Sequence, residues 1–506
     1  LSQAGMLLDT TVDRVRADLA GSGTLTITES DAITLEDVKN ADGMTQVTSD
    51  TGGIRAEQVV SGTDTDANDI HLTANGGDIE AGSIQAGTAG DVHLTASAGV
   101  SDLAGKIAAD RLIVNAAQSA LLDTEITQLY ADITGTGTLT VTEKNDIQLS
   151  DLLTADGDID VTAAGDTKAE SVIAEGDGSA LTILTGGNAE VTGTVRTTGD
   201  NATIDLIGDK ALAVALGGTV EAQGANSTIL VDAKTLSGSN AGIFGDIIAG
   251  VDTLTNTITG AGSTATLQSD NGISVDGTIT TADALTLDAQ DDPSGTSIQI
   301  DGTLRTLGSG DTLSLNAPND IRIVGNVFVE GAGSDVDISG DSQLYVDGVI
   351  EGAADITLDA GADSSGYSLV LTNTGRIEST GSGALVEVNA LQGMSIEGRI
   401  KSNASGGDIS LQAQDQVFID GIVEAHDQLT VEGGNHSSGD SVVLENNGSL
   451  RSTGATDGLV DVRGMQDLVL MGLVSAEGVG ADVYLEAGEQ VSIGGMTDNA
   501  MPAAAV

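Results

Sequence analysis

The side chains best suited to bind a metal are the four histidines of the chain: His71, His93, His426 and His436. None of them is spaced like the H-x-x-x-H ligand pair of a zinc site. His71 and His93 would share one face if the chain coils with a period close to their separation. We predict outward strand or loop positions for all four, and no metal-ligating residue.

Calcium would need clustered carboxylates in a defined loop. Residues 64–68 begin like an EF-hand loop, but Asp69 stands where that loop has glycine and Asn75 where it ends in glutamate. A second group alternates as outward residues of a strand and its turn do: Asp156, Asp158 and Asp160. The glycine-rich nonapeptide of calcium-binding solenoids is absent. We predict no cofactor, and only diffuse binding of divalent cations such as calcium.

Catalysis on a polysaccharide would need converging carboxylates with a basic partner, and aromatic rings on which sugars stack. Trp is absent and the tyrosines are scattered, at Tyr130, Tyr345, Tyr367 and Tyr484. Carboxylates occur along the whole chain, so their presence selects no site. We predict no catalytic and no cofactor-binding residue, and therefore no enzyme. A carbohydrate-active β-helix enzyme, a lyase or hydrolase, is the alternative.

Two Thr-x-Thr runs raise the possibility of an ice-binding surface, which needs a flat threonine ladder across successive coils. The runs are Thr24, Thr26 and Thr28, and Thr138, Thr140 and Thr142. They lie 114 residues apart rather than one coil apart. We predict that they are ordinary solvated strand residues, since threonine is common on exposed strand faces.

Composition restricts the class of protein. Of 506 residues, 39% are hydrophobic but only 1% aromatic, so the core must be built from small aliphatic side chains. Asp and Glu total 76 against 18 Lys and Arg, a net charge of −58. This charge repels nucleic acid and anionic membranes, and no apolar run reaches the ~20 residues of a membrane span. We expect no nucleic-acid partner and no membrane insertion.

A repeat organises the chain. From Ile273 onward a coil of 23–26 residues recurs, with an apolar pair in period two, a glycine, another apolar residue and a second alternating pair. Alternation predicts three short strands per coil, and glycine supplies the backbone freedom that sharp corners need. The first apolar position is held by Ile273, Ile298, Ile321, Leu344, Leu369, Met394, Val417, Val442, Leu468 and Val491.

One such coil, of about 24 residues, cannot bury its apolar face alone, whereas stacked coils bury it between them. The pattern therefore predicts an all-β chain folded as a right-handed parallel β-helix, or β-solenoid. About 21 coils would share the charge of −58. We expect uniformly acidic outer faces if the chain is a structural rod, and a groove with converging Asp, Lys or Arg, and Tyr if it is an enzyme.

Two kinds of repeat divide the chain. An N-terminal β-helix section, 1–188, contains a 114-residue repeat in which 7–38 returns as 121–152. A regular β-helix, 189–495, contains three-coil repeats of 73–74 residues, and 496–506 form a C-terminal tail. We expect residues 101–122 to form looser coils rather than a short helix.

The stretch ADITGTGTLTVTEKNDIQLSDLLTADGDIDVTA at 131–163 resembles the repeats of giant bacterial surface proteins related to filamentous haemagglutinin. The resemblance covers roughly the first 190 residues. It implies a secreted right-handed parallel β-helix that serves adhesion or cell-surface architecture. The chain departs from the family in lacking the cell-binding tripeptide Arg-Gly-Asp.

The sequence therefore predicts a non-enzymatic extracellular structural protein at the bacterial cell surface. It would be a rod-like building block of a filament, a sheath or a giant adhesin. A solenoid has strand edges at its ends, so we expect head-to-tail stacking of copies into a homopolymer, with 491–502 of one copy against 1–15 of the next. Other expected partners are a cell-surface polysaccharide, or the surface of a host or neighbouring cell.

Overall fold

The computed structural model describes residues 5–233, 241–243, 246–249, 251–252, 257–258, 262–269, 272–290 and 295–494. Across these residues the secondary structure is entirely β, without a helix. Parallel strands stack into a β-solenoid of about 20 turns, with about 23 residues and three strands per turn. The predicted parallel β-helix is confirmed. The chain divides into two compact units, Leu1–Gln268 and Ser269–Val506.

The strands of the first unit are short and follow one another closely. They are β1 (Met6–Thr10), β2 (Arg14–Ser22), β3 (Leu25–Glu29), β4 (Ile33–Asp42), β5 (Thr45–Ser49), β6 (Ile54–Ser61), β7 (Ile70–Ala74), β8 (Ile79–Gln85), β9 (Val92–Ala96), β10 (Val100–Asp102), β11 (Ile107–Ala116), β12 (Ala120–Thr136), β13 (Leu139–Glu143), β14 (Ile147–Asp156), β15 (Ile159–Ala163), β16 (Thr167–Ala174), β17 (Ala180–Thr185), β18 (Ala189–Thr197), β19 (Thr203–Gly208), β20 (Leu212–Val214), β21 (Thr219–Ala222), β22 (Thr228–Ala233), β23 (Ala241–Ile243), β24 (Asp246–Ala249), β25 (Val251–Asp252), β26 (Thr257–Ile258) and β27 (Thr264–Ser269). β25 and β26 form a separate antiparallel pair.

Most turns of the first unit contain one short and one long strand. β3 pairs with β5, and the long β4 pairs with β6, so the stacking partner is the second strand along the chain. The pairing of β4 with β6 is interrupted between Leu35↔Ala56 and Val38↔Val59 without a change of register, whereas the pairing of β2 with β4 shifts by one residue between Val15↔Leu35 and Arg16↔Asp37. Each long strand therefore combines two of the three predicted short strands, which are joined by a bend rather than by a loop.

Residues 107–116 and 120–122 are strands, whereas 103–106 and 117–119 are not, so the expected looser coils occur only between the strands, and no helix is present in this range. Leu112 on β11 pairs with Val92 on one side and with Leu129 on the other. Leu112 and Val114 are completely buried, and Ala116 is almost so. Ala116 stacks between Ala96 and Ile133, so the column continues through the alanine-rich segment.

The second unit has a three-strand turn from its start. Its strands are β28 (Ile273–Val275), β29 (Thr278–Thr281), β30 (Leu285–Ala289), β31 (Thr296–Ile300), β32 (Thr303–Thr306), β33 (Thr312–Ala317), β34 (Asp320–Ile323), β35 (Asn326–Val329), β36 (Asp335–Gly340), β37 (Leu344–Val346), β38 (Val349–Gly352), β39 (Ile356–Ala360), β40 (Tyr367–Leu371), β41 (Arg376–Ser379), β42 (Leu385–Ala390), β43 (Gly393–Ile396), β44 (Arg399–Ser402), β45 (Asp408–Ala413), β46 (Val417–Ile419), β47 (Ile422–Ala425), β48 (Gln428–Gly433), β49 (Asp440–Leu444), β50 (Ser449–Ser452), β51 (Leu459–Gly464), β52 (Asp467–Leu470), β53 (Leu473–Ala476), β54 (Asp482–Ala487) and β55 (Val491–Ile493).

The core of the second unit is a set of continuous aliphatic columns. Ile396 is completely buried and pairs with Leu371 in the preceding turn and Ile419 in the next. Its neighbour Glu397 is exposed, as alternation requires. The predicted first apolar column is buried from Ile273 to Leu468, which confirms the register assigned from the sequence.

The corner glycines of this unit are needed because the backbones of successive turns approach each other closely, not because the backbone adopts a special dihedral angle. A Cβ added to Gly325 would collide with the carbonyl oxygen of Gly302, and one added to Gly348 would collide with that of Gly325. None of these three glycines has a positive φ. The predicted reason for the glycine column, backbone freedom at a sharp bend, is therefore wrong. The stacked corners leave no room for a side chain.

The predicted boundary between 188 and 189 stays a prediction. β18 begins at Ala189 and continues the parallel pairing, with β16 before it and β20 after it. The predicted tail, 496–506, lies outside the described residues.

Candidate functional site

The two N-terminal histidines form a stacked pair. His71 on β7 is the direct partner of His93 on β9, and their ring centroids lie 4.2 Å apart with the planes 29° from parallel. Burial, and then the neighbouring His71, lower the pKa of His93 below its ordinary value. The prediction that they share one face is confirmed.

The surroundings of this pair do not complete a metal site. Asp91 is buried and accepts a charge-assisted hydrogen bond from Arg111, while Asp69 Oδ1 accepts the Asp91 N–H at 3.0 Å. Both nearby carboxylates are thus engaged in holding turns together. Within the described part of the chain, no three His, Asp or Glu side chains are placed to hold one metal ion.

The other two histidines lie in loops, as predicted. His426 follows β47, and its Nδ1 accepts the Gly406 N–H at 3.3 Å. His436 follows β48, and its Nδ1 lies 2.7 Å from Ser438 Oγ. Each imidazole is used to order a local loop.

Carboxylates of the two candidate calcium motifs also accept hydrogen bonds from neighbouring turns. Asp64 accepts from Thr88 Oγ1 at 2.6 Å and from the Ala89 N–H at 2.7 Å, and these bonds lower the pKa of Asp64. Asp158 Oδ1 accepts the Ala180 N–H at 2.8 Å. Neither motif gathers its carboxylates around a common point.

Asp64 and Asp158 are examples of a wider pattern that the sequence analysis missed. At many corners an Asp carboxylate accepts the backbone N–H of the turn that follows it in the chain. Each such bond pairs a charged acceptor with a backbone donor of the next turn. The further pairs are Asp69–Asp91, Asp78–Gly99, Asp146–Asp166, Asp166–Asn188, Asp177–Asp200, Asp200–Ala225, Asp320–Gln343, Asp335–Asp355, Asp355–Leu385, Asp408–Gln428 and Asp467–Gln490.

Two buried glutamates act in the same way inside the first unit. Glu143 on β13 accepts the Ile126 N–H at 3.0 Å and the Asn145 N–H at 2.8 Å. Glu29 on β3 accepts from Thr10 Oγ1 at 2.6 Å, and from the N–H groups of Val12 and Ser30, each at 2.9 Å. These two positions correspond in the 114-residue repeat. Each ties a bend of one turn to the strand of the next.

One carboxyl pair in the second unit holds a proton at a higher pH than an ordinary aspartate does. Burial, then a hydrogen bond to Asp283 and its charge, raise the pKa of Asp311 to about 6. A glycosidase needs its two carboxyl groups ~5–9.5 Å apart, and a directly hydrogen-bonded pair does not have that geometry. The pair is suited to sharing a proton between two turns.

The three outer faces of the second unit differ, so the expectation of uniformly acidic faces is wrong. Outward residues of the third strands are a mixture of uncharged polar and acidic side chains, such as Ser314, Asp337 and Glu387, whereas the second strands carry ion pairs such as Lys401–Glu424 at 3.0 Å. The first strands are uncharged at their central outward position over seven successive turns. These residues are Tyr345, Val370, Ser395, Phe418, Val443, Val469 and Ser492.

The tyrosines do not form a common surface. The Arg322 guanidinium lies 5.0 Å from the ring centre of Tyr345 on a first strand, and that of Arg463 lies 5.6 Å from Tyr484 on a third strand. Tyr130 lies on β12, in the first unit. The predicted scatter is confirmed.

The Thr-x-Thr runs do not recur in successive turns, as predicted, although a single row of threonines runs through Thr28, Thr48, Thr73 and Thr95. Thr26 is flanked in the stack by Leu7 and Gln46, and Thr140 by Leu121 and Asp160. A flat threonine surface would need threonine in each of these turns.

Comparison of the chain with protein-family models, with curated proteins and with solved structures finds no match. In the described residues no helix is long and apolar enough to cross a membrane. Function must therefore be argued from the stack itself.

Proposed function

We propose that this chain is a non-enzymatic structural protein of the bacterial cell surface. It would serve as a β-solenoid building block of a filament, a sheath or a giant adhesin, extended by end-to-end stacking of copies. The support is architectural: nearly all described strands belong to one kind of parallel stack, and the polar side chains singled out above are mostly engaged in bonds between turns.

The observation that carries the proposal is the exposure of core positions on the last described turn. Val491 and Ile493 continue columns in which Leu468 and Leu470 are buried, yet they are 39% and 46% exposed. Met6 on β1 is likewise 36% exposed, although its stacked partner Leu25 is completely buried. Apolar columns and strand edges of this kind pair with a further turn, whether it belongs to the same polypeptide or to another copy, and the proposed filament uses another copy.

An end-to-end contact of this kind joins two different surfaces. Such a heterologous contact propagates into a fibre rather than closing into a ring. The predicted contact ranges, 491–502 and 1–15, are described only for 491–494 and 5–15. Extracellular location, adhesion and a polysaccharide or cell-surface partner rest on the resemblance of 131–163 to haemagglutinin-like repeats.

Electron microscopy of Ile493→Asp tests the proposal, with Ser492→Asp as the matched control. Both changes add one carboxylate to β55, but Ile493 continues a core column and Ser492 continues an outward row. We expect short fibres or none for Ile493→Asp, and fibres of normal length for the control. Deleting 496–506 should also shorten the fibres while leaving the turns folded.

Sedimentation of the intact chain provides the decisive outcome. If the intact chain is monomeric at every concentration and ionic strength, end-to-end stacking is wrong. Equal fibre lengths for Ile493→Asp and Ser492→Asp would show that the exposed columns do not form the contact.

A further inference from the structure

The second unit has a three-turn period in the lengths of its loops. The loops that join the third strand of one turn to the first strand of the next contain six, two and three residues in successive turns, and this series of lengths then repeats. The six-residue loops are 361–366 and 434–439, 73 residues apart, and 290–295, of which only 290 and 295 are described. The two fully described loops, 361–366 and 434–439, each place exposed residues at one corner of their turn.

The same turns have a short loop at the opposite end of the third strand. The loop before β39 is 353–355 and the loop before β48 is 426–427, three and two residues long. In the two flanking turns the corresponding loops have five or six residues. In each of these turns, a shorter loop at one end of the third strand thus accompanies a longer loop at its other end. The apolar core limits the total length of a turn, so the two loop lengths change in opposite directions.

The long loops are held rigidly and in the same way. The Asp363 N–H donates to Gln392 Oε1 at 2.8 Å, and the His436 N–H donates to Gln466 Oε1 at 2.7 Å. The exposed tips are formed by Ser364 and Ser365 in one loop and by Ser437 and Ser438 in the other. A preordered loop loses little conformational entropy on binding.

The short loop 353–355 leaves a gap between its longer neighbours. The gap at 353–355 is a cleft of about 440 Å³, with Ala353 and Ala354 lining it and the loops around Gly333 and Ser382 as walls. At 426–427, the His426 side chain, bonded to Gly406, occupies part of the corresponding space.

We propose that the loop 361–366 of one copy inserts into the gap at 353–355 of a second copy lying beside it. Loop and gap lie at opposite ends of β39 in the same turn, so a sideways displacement alone brings them together. Loops and gaps both recur every three turns, about 14 Å at ~4.8 Å per turn. The next loop, 434–439, then meets the gap at 426–427 in the same register.

This lateral contact adds to the proposed structural role and does not depend on end-to-end stacking. It joins two different corners, so it extends into a sheet of parallel copies rather than closing. Each contact is small, and affinity arises because several form together. The loop 434–439 contains no Asp, Glu, Lys or Arg, and 361–366 contains one such residue, Asp363, beside its Ser364–Ser365 tip. The cleft is lined by Glu330 and Asp355, so the contact needs enough salt to screen their charge.

Disulfide trapping tests the contact directly, because the chain contains no cysteine. Purified Ser364→Cys chains are mixed with Ala354→Cys chains in about 150 mM salt under mild oxidation. Within one copy, β39 separates the two positions by more than ~15 Å at ~3.3 Å per residue, whereas a disulfide needs Cα atoms within ~7 Å. Any disulfide between these positions therefore joins two copies.

We expect a disulfide-linked dimer from the mixture, and at least a tenfold lower yield when Ser364→Cys is mixed with Ser410→Cys, on the third-strand face. Ser437→Cys mixed with Asp427→Cys tests the second loop and gap independently. Equal yields for the matched and control mixtures, or no cross-link in either matched pair, would overturn the lateral contact. Fibres without the cross-link leave only end-to-end stacking standing; cross-linked dimers without fibres leave only the lateral contact.

Discussion

Replacing Glu143 by alanine should loosen the turns of the first unit that it connects. The side chain is 1% exposed and accepts the N–H groups of Ile126 and Asn145. An unsatisfied buried donor costs ~1–3 kcal/mol. Ile126 is buried, whereas Asn145 is exposed and its N–H can turn to water, so we expect a loss of about 2–4 kcal/mol in local opening free energy.

Glu143→Gln refines this test, because glutamine retains the shape but has one acceptor oxygen for two donors. We expect about half the loss seen with alanine. Thr142→Ala is the matched control, since Thr142 is the neighbouring exposed residue on the same strand, and surface changes of this type stay within ~0.5 kcal/mol.

Native-state hydrogen exchange across β12, β13 and β14 is the appropriate measurement. Stacked repeats open locally, so a single global unfolding transition is not expected. Faster exchange should be confined to these strands and their stacked neighbours. Indistinguishable exchange in Glu143→Ala and Thr142→Ala would refute the assignment of Glu143 as a connection between turns.

Two further predictions concern protons and ions. Burial acts to raise the pKa of Glu29, but hydrogen bonds from Thr10, Val12 and Ser30 outweigh it and hold the pKa below 4.5. A lowered folded-state pKa contributes stability above the unfolded value that is lost as pH falls through the folded value. We therefore compare the exchange protection of β1 and β2 in the wild type and in Glu29→Gln. The difference should be constant from pH 7 to about 5 and shrink below 4.5. A difference that does not depend on pH would contradict this prediction. The second prediction concerns ions: a net charge of −58 over about 20 turns is about −3 per turn, and neighbouring turns lie within the screening length of ~8 Å. Added salt or calcium should therefore raise the melting temperature at low ionic strength. Melting temperatures that change with neither would contradict this prediction.

The regular part of the fold follows from the sequence because its signal is local. In the second unit, each strand alternates, each turn contains a corner glycine, and column residues such as Ile396 are predicted without knowledge of their stacked partners. The first unit is harder to predict, because a long strand such as β4 bends without a glycine or Asp-Gly signal: its register against β2 shifts at Glu36.

The polar connections could not be predicted, because their partners are a full turn apart along the chain. Asp355 accepts the N–H of Leu385, 30 residues later, and an aspartate before a strand is equally common in a turn that makes no such bond. Glu143 is a polar residue at the end of a strand, and nothing in the sequence distinguishes it from an exposed one. The loop-length period was visible only as recurring Ser-Ser-Gly sequences, whose correspondence with the short loops requires the strand boundaries.

The acidic composition has a structural reason. A carboxylate that accepts the N–H of the next turn stabilises the stack without a cationic partner, so this chain needs few lysines and arginines to hold its turns. The bonds run in one direction along the chain, from Asp335 to the turn of Asp355 and from Asp355 to that of Leu385. The uncompensated charge remains on the surface and separates copies at low ionic strength. Self-association is therefore easiest where charge is sparse: at apolar columns such as those ending in Val491 and Ile493, and at uncharged tips such as 434–439.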